Sequence, residues 1–189
     1  MHPEKVIIFS APSGSGKSTL INYLLDRGLE LEFSISATSR PPRGTEQHGK
    51  EYYFFSAEEF RKGIEEDRFL EWQEVYEGVY YGTLKSEMER IRSLGRVAVF
   101  DVDVIGGLNI KKILGHQALA IFIKPPSVEI LRQRLQKRGA DSPDKIEQRI
   151  AKAEFELGFA QQFDVIITND RLEEACRETE NTIRNFLRA

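Results

Sequence analysis

A parallel α/β sheet interrupted by two insertions is the fold class this sequence predicts, and three observations predict it. Four short, near-continuous apolar runs recur along the chain, at residues 5–9 (KVIIF), 97–102 (VAVFDV), 118–123 (ALAIFI) and 164–168 (DVIIT). Such runs are how strands buried on both faces read, in contrast to the alternation of a half-exposed strand. Helical patterns separate them, which makes parallel pairing with helices on the sheet faces the economical arrangement. Two segments, 33–82 and 127–162, break the alternation and read as insertions. At 189 residues and 40% hydrophobic, the chain is long enough to bury a substantial core, and a single domain with insertions fits that length.

The first run, 5–9, leads directly into SAPSGSGKST at 10–19 and then into a helical pattern. From 33 to 82 the pattern turns to short strands and turns crowded with aromatics, among them Tyr52, Tyr53, Phe54, Phe55, Phe60, Phe69, Trp72, Tyr76, Tyr80 and Tyr81. This is read as a small inserted subdomain. The run at 97–102 ends in a pair of acids, Asp101 and Asp103. After the run at 118–123, Ser127 follows KPP and caps a helix carrying Val128, Leu131 and Leu135. Gly139 marks a turn, and Ser142 before Pro143 places proline at a first helical position, so 127–162 reads as a projecting helical hairpin. The last run, 164–168, precedes a helix that spaces Leu172, Ala175, Cys176, Thr179, Ile183 and Phe186 along one face.

Composition excludes several classes of function. A net charge of −3 argues against a general nucleic-acid or membrane-surface binder, so any basic site must be local. Cys176 is the single cysteine, which rules out an internal disulfide and a cysteine-based metal cluster and fits a reducing compartment. It reads as a small packed side chain. The first apolar run is far shorter than the ~20 residues that span a bilayer, and no signal-peptide pattern precedes it. A soluble, cytoplasmic protein is expected.

The chemistry begins at 10–19. A phosphate-binding loop is written Gly, four residues, then Gly-Lys-Ser/Thr; here Gly16, Lys17 and Ser18 are intact, with Ala11 in place of the first glycine. Gly14 and Gly16 let the backbone fold around phosphate oxygens, and backbone N–H groups and the helix N-terminus supply positive potential. Lys17 is suited to the β- and γ-phosphates and Ser18 to Mg²⁺. In that context Asp101 and Asp103, at the end of a strand, are candidate organisers of Mg²⁺, although acids at strand ends are as often only turn or cap residues. A nucleoside triphosphate is therefore expected, and SRPPRGTEQHGKEYYFF at 39–55 shows where its phosphoryl group goes. Arg40 and Arg43 in one irregular loop, with the hydroxyls of Tyr52 and Tyr81, suit a second, small phosphate ester.

Taken together, SAPSGSGKSTL, FSISATSRPPRGTEQHGKEYYFFS, FLEWQEV, YYGT, DVDVIGG, IKPPSVEILRQRLQKRG and TND resemble the guanylate kinases in order and spacing, over essentially the whole chain. The resemblance implies the three-layer P-loop NTPase fold with a parallel central sheet, an inserted nucleoside-monophosphate-binding subdomain and a helical lid. It implies a core of residues 1–32, 83–126 and 163–189, a GMP-binding insertion of 33–82 and a lid of 127–162. The implied activity is transfer of the γ-phosphoryl group of ATP to GMP or dGMP, with Mg²⁺, in purine nucleotide metabolism.

Carried over by position, the resemblance implies that Ala11, Pro12, Ser13, Gly14, Ser15, Gly16, Lys17, Ser18, Thr19 and Arg138 bind ATP, with Asn169 near its adenine. Ser36, Arg40, Arg43, Glu46, Tyr52 and Tyr81 would line the GMP site, Glu71 and Thr83 would read the base, and Asp103 would serve base or metal. Metal contacts would come from Ser18, Asp101 and Asp103. Lys17, Arg43, Arg134, Arg138 and Arg149 would neutralise charge on the transferring group. Helix spacing alone also allows the last three to be solvated arginines paired with Glu129, Asp144 or Glu147.

Three departures stand out. Ala11 replaces the first glycine of the loop, PRGTE inverts the character of residues 44 and 45, and Ile105 stands where the family often has glutamine. A phosphopeptide-binding scaffold module and a different small-molecule kinase are the competing readings. Lys17, Ser18, Ser36 and the arginines argue against the first, and the Arg40, Arg43, Tyr52, Glu71, Tyr81, Thr83 set against the second. GMP and ATP are the expected partners, without nucleic acid or membrane, and the chain is compatible with a monomer or a homodimer.

Overall fold

The structure, a computed structural model, describes residues 5–139 and 141–189. In chain order, the first elements are β1 (Val6–Ser10), α1 (Lys17–Leu25), β2 (Leu31–Phe33), β3 (Ala37–Thr38) and β4 (Tyr53–Phe54). There follow α2 (Ala57–Glu65), β5 (Phe69–Tyr76), β6 (Val79–Leu84), α3 (Lys85–Ser93), β7 (Val97–Asp101) and α4 (Val104–Leu114). The chain closes with β8 (Ala118–Lys124), α5 (Val128–Arg138), α6 (Pro143–Leu157), β9 (Val165–Thr168) and α7 (Leu172–Arg188).

Five strands form a sheet in the order β2-β7-β1-β8-β9, every pairing parallel. The four apolar runs are its inner strands and one edge. Alternate side chains of β1 serve opposite layers, as strand geometry requires. Ile7 and Phe9 pack with Leu20 and Leu24 of α1 and Ile183 of α7, whereas Val6 and Ile8 pack with Ile91 of α3, Ile110 of α4 and Phe163. All of β1 is buried, and each such aliphatic or aromatic side chain contributes about 1.5–3 kcal/mol. This two-sided burial is the physical reason that the strands read as unbroken apolar runs.

A second sheet, β4-β3-β6-β5, stands beside the first. Its apolar core is aromatic: Phe60 of α2 stacks on Phe69 at 4.2 Å and on Tyr80 at 5.4 Å between ring centres. Helix α2 opens with a reciprocal cap, the Ser56 hydroxyl accepting from the Glu59 N–H while the Glu59 carboxylate accepts from the Ser56 N–H. The buried Glu87 of α3 ties the two sheets together. It accepts from the Ile35 N–H (3.0 Å), the Tyr53 hydroxyl (2.7 Å) and Arg90 (2.9 and 3.1 Å). Burial pushes its carboxyl up, but these donors outweigh burial and hold it below the ordinary range.

Helices α5 and α6 form the hairpin, with Ser127 capping α5 by accepting from the Ile130 N–H and Gly139 closing it in a left-handed conformation. Leu131, Leu135, Ile146, Ile150 and Ala153 give it a small core of its own. Leu131 and Leu135 also press on the loop after β1. A Cβ on Gly14 would lie 3.1 Å from each of them.

Three details differ from the sequence expectation. β2, only three residues long, joins the parallel sheet at its edge, and β6 runs on to Leu84, past the boundary expected at residue 82. Leu172, expected on the apolar face of the last helix, is 44% exposed, because the buried stripe of α7 begins one turn later at Ala175. Cys176 is buried as expected. Among the described residues no helix is long and apolar enough to cross a membrane.

Candidate active site

One cavity of about 1070 Å³ opens at the C-terminal end of β1, with walls from the loop after β1, the second sheet, the start of α4 and the α5–α6 hairpin. That is where open parallel sheets bind ligands, because the strands end there and the helices begin.

The floor is the loop from Ala11 to Ser15. Gly14 (φ +93°) and Gly16 (φ +90°) take the left-handed conformation that turns the loop back on itself, and Gly16 is the residue from which α1 starts. Asn169, after β9, lies against Gly16, where a Cβ would come within 2.3 Å of its Nδ2. That Nδ2 donates to the Ser15 carbonyl at 2.8 Å, and Arg134 donates to the Asn169 carbonyl at 2.9 Å. The loop is thus braced from behind, while Ala11, Pro12, Ser13, Gly14, Gly16, Lys17, Ser18 and Thr19 line the cavity. Ser15 is fully buried and does not line it.

Lys17 is ion-paired with Asp101, and its Nζ lies 3.5 Å from the Val102 carbonyl. Asp103 is differently engaged. Its Oδ1 accepts from the Gly106 N–H at 2.8 Å, capping α4, and its Oδ2 accepts from Gln73 Nε2 at 2.6 Å. Of the two acids expected near a metal, Asp101 is therefore the one beside Lys17. Among the described residues no group of three or more His, Cys, Asp or Glu side chains is placed to hold a metal ion. A serine hydroxyl and one or two nearby carboxylates suit Mg²⁺ delivered on phosphates, since that ion keeps several waters and takes few protein ligands.

The second sheet supplies the opposite wall. Ser36, Arg43, Tyr52, Glu71 and Tyr81 line the cavity. Arg40 does not. It is 7% exposed, paired with Glu46 at 2.6 and 2.8 Å, and donates from Nε to the Tyr81 hydroxyl at 3.2 Å. Its guanidinium also covers the Tyr52 ring at 4.9 Å. Glu46 additionally accepts from the Arg43 N–H at 2.7 Å, and Gly44 within that turn takes a positive φ of 55°. The hydrogen bonds from Arg40, helped by the Arg43 N–H, hold the Glu46 carboxyl at about 2.

Glu71 is 7% exposed, and burial raises its carboxyl to about 7 even though the buried Thr83 hydroxyl donates to its Oε1 at 3.0 Å. Thr83 itself does not reach the cavity wall. It stands behind Glu71, bonded to it.

From the hairpin come Arg134, Arg138 and Arg149. Arg149 donates to the Ser13 hydroxyl at 2.7 Å and pairs with Asp141 at 2.9 Å. Glu147, one of the partners that helix spacing suggested, is instead paired with Arg132. Arg43 and Arg138 have no ion-pair partner among the described residues, so both present uncompensated charge to the cavity. Sequence reasoning missed Gln73, Lys145, Gln148, Lys152 and Glu156, which also line it. The signals were periodic: Gln73 is two residues beyond Glu71 on one strand, and the other four share a helix face with Arg149. Glu156 is nearly buried, which raises its carboxyl, with Lys152 opposing.

Comparison with known proteins bears on this site. The guanylate kinase family model matches residues 3–186. A guanylate kinase of Bacteroides thetaiotaomicron is 62% identical over 97% of this chain and 90% of its own length. One of Porphyromonas gingivalis is 58% identical over 97% and 98%. The crystal structure of guanylate kinase from Anaplasma phagocytophilum superposes with a TM-score of 0.74 at 28% identity, covering 96% of this chain and 85% of that one.

Proposed function

The chain belongs to the guanylate kinase family, and on that premise we propose how its residues divide the transfer of the γ-phosphoryl group from ATP to GMP. The protein is an ATP:GMP phosphotransferase. One observation carries the assignment of residues: a single cavity holds the phosphate loop with Lys17 on one wall and Glu71, Arg43, Tyr52 and Tyr81 on the other.

ATP lies with its β- and γ-phosphates over the backbone N–H groups between Gly14 and Ser18 and at the N-terminus of α1. Lys17, released from Asp101, follows the charge that moves onto the bridging oxygen as the γ-phosphorus–oxygen bond breaks. Ser18, with Asp101 and Asp103 nearby, would hold Mg²⁺, and the ion would supply neutralisation of the β- and γ-phosphate charge. GMP lies on the second sheet. Arg43 and the Tyr52 and Tyr81 hydroxyls grip its phosphate, with Arg40 holding both tyrosines and the Glu46 turn in place. The nucleophile is a phosphate oxygen that is already ionised, so no general base and no covalent enzyme intermediate are required. Arg134, Arg138 and Arg149 neutralise the three equatorial oxygens in flight when the hairpin closes, and closure excludes water that would otherwise hydrolyse ATP.

Base choice rests on Glu71. Guanine presents N1–H and a 2-amino group side by side, and one ionised carboxylate accepts from both. Adenine leaves that buried carboxylate unpaired, which is costly. Ser36 and Thr83 complete the base pocket, Thr83 by orienting Glu71. Cytoplasmic location, a role in purine nucleotide metabolism, use of dGMP and action as a monomer or homodimer belong to the same reading.

Two variants test it. Arg43→Ala should lower kcat/KM for GMP roughly 10- to 100-fold, through both KM and kcat, as expected for a lost charge-assisted contact. Glu71→Ala should instead shrink the GMP-to-AMP ratio of kcat/KM roughly 100-fold. An unchanged ratio in Glu71→Ala would overturn the base-reading assignment.

A further inference from the structure

Gln73 has no part in the scheme above, yet it stands at the junction of its two halves. On β5 the segment from Glu71 to Gln73 pairs regularly with β6, Glu71 opposite Thr83 and Gln73 opposite Tyr81. Glu71 and Gln73 therefore emerge on one face of the strand, and both line the cavity. The Gln73 amide reaches across to the first sheet, Nε2 donating to Asp103 Oδ2 at 2.6 Å.

That contact fixes which way the amide points. Asp103 accepts a second N–H, from Gly106, on its other oxygen, so both of its oxygens act as acceptors. The arm of the amide that meets it must be the donor arm, Nε2. Oε1, on the opposite arm, accepts from no group among the described residues. The half-buried Gln73 thus keeps a carbonyl oxygen without a protein partner among those residues, two residues from Glu71 on the same face of β5.

Guanine offers three donors on that edge, N1–H and two N–H of the 2-amino group. Glu71 accepts N1–H and one of the amino hydrogens, and its Oε1 already accepts from Thr83. The second amino hydrogen needs another acceptor, or it is buried unpaired; both Asp103 oxygens are already engaged, by Gly106 and by Gln73, which leaves Gln73 Oε1 as the acceptor without a hydrogen bond among the described residues. Resting on the guanylate-kinase reading of this site, we propose that Gln73 Oε1 accepts the second hydrogen of the guanine 2-amino group, with Asp103 locking the amide in the orientation that does so. This places an amide from the second sheet where the first sheet offers none. Ile105, which stands where glutamine is often found in the family, packs in the apolar cluster under α4.

The test is the comparison of GMP with inosine monophosphate, which is GMP without the 2-amino group. Dissociation constants and kcat/KM are measured for both nucleotides in the wild type, in Gln73→Met, which keeps the side-chain length, and in Gln73→Ala. The inference predicts that each variant weakens GMP roughly tenfold while changing inosine monophosphate less than twofold, so the ratio falls roughly tenfold. Equal losses for both nucleotides would mean that Gln73 only supports Asp103 and α4, and no loss for either would mean that it touches nothing; both overturn the inference. A wild type that neither binds nor phosphorylates GMP would overturn the underlying reading instead, so the two failures are distinguishable.

Discussion

In the proposed scheme, Glu71 carries a proton equilibrium that links base recognition to pH. Its carboxyl is raised by burial from 4.5 to about 7, so in the empty enzyme it is protonated well above the pH at which an exposed glutamate ionises. Guanine's two donors need the ionised form, and GMP binding must therefore expel the proton below pH 7. The KM for GMP should climb as pH falls below about 7, approaching tenfold per unit, while the KM for ATP changes less. Because GMP's own phosphate titrates near pH 6, the control is Glu71→Gln, which keeps that titration and should lose the Glu71 component. Identical KM profiles in the two proteins would contradict this. The sign for stability is opposite to that of a salt-bridged acid: between 4.5 and about 7 the folded empty state holds a proton that the unfolded chain has lost, so stability falls as pH rises through that window. Little of this was legible in FLEWQ, where a lone glutamate on a short strand is ordinarily solvent-facing. The resemblance singled out Glu71; its burial depends on Thr83 and the start of α4, which only tertiary structure brings to it.

At the scale of elements, the loop between β1 and α1 is determined by what lies behind it. Gly16 has a positive φ and faces Asn169 so closely that a methyl group would sit 2.3 Å from its amide nitrogen. Gly16→Ala combines backbone strain with displacement of the residue that holds the Ser15 carbonyl. Its ATP affinity should fall at least ~100-fold, a loss of about 2.7 kcal/mol, with the GMP site, read by equilibrium binding, changed less than twofold. An equal loss at both sites would show that the loop and the second sheet are not separable units. The loop was readable because its glycines, lysine and serine occupy fixed offsets after a buried strand. β2, β3 and β4 were not, since strands of two or three residues carry no periodicity and exist only through their partners. Asn169 was reached by resemblance, but its contact with the loop spans more than 150 residues of sequence and leaves no local pattern.

For the molecule as a whole, the first sheet has an apolar cluster on each face, the second sheet and the hairpin have one each, and all three bodies meet around one cavity. Several of the contacts between them are polar: Glu87 with Tyr53, Gln73 with Asp103, Arg149 with Ser13. Polar junctions between separately packed bodies suit relative motion. The parallel sheet followed from composition and apolar runs, because two-sided burial imprints itself on sequence. Charges at the cavity were harder to read, since an arginine on a helix looks the same whether it faces solvent, as an exposed partner of Glu147, or faces phosphate. The central claim is that the two walls of this cavity make one enzyme that transfers phosphate from ATP to a guanine nucleotide. ADP release from ATP·Mg²⁺ in the presence of GMP, dGMP, AMP, CMP, UMP or ribose 1,5-bisphosphate at matched concentration tests it most directly. The account predicts fast turnover confined to GMP and dGMP; comparable turnover of GMP and AMP, or none with any acceptor, would contradict it.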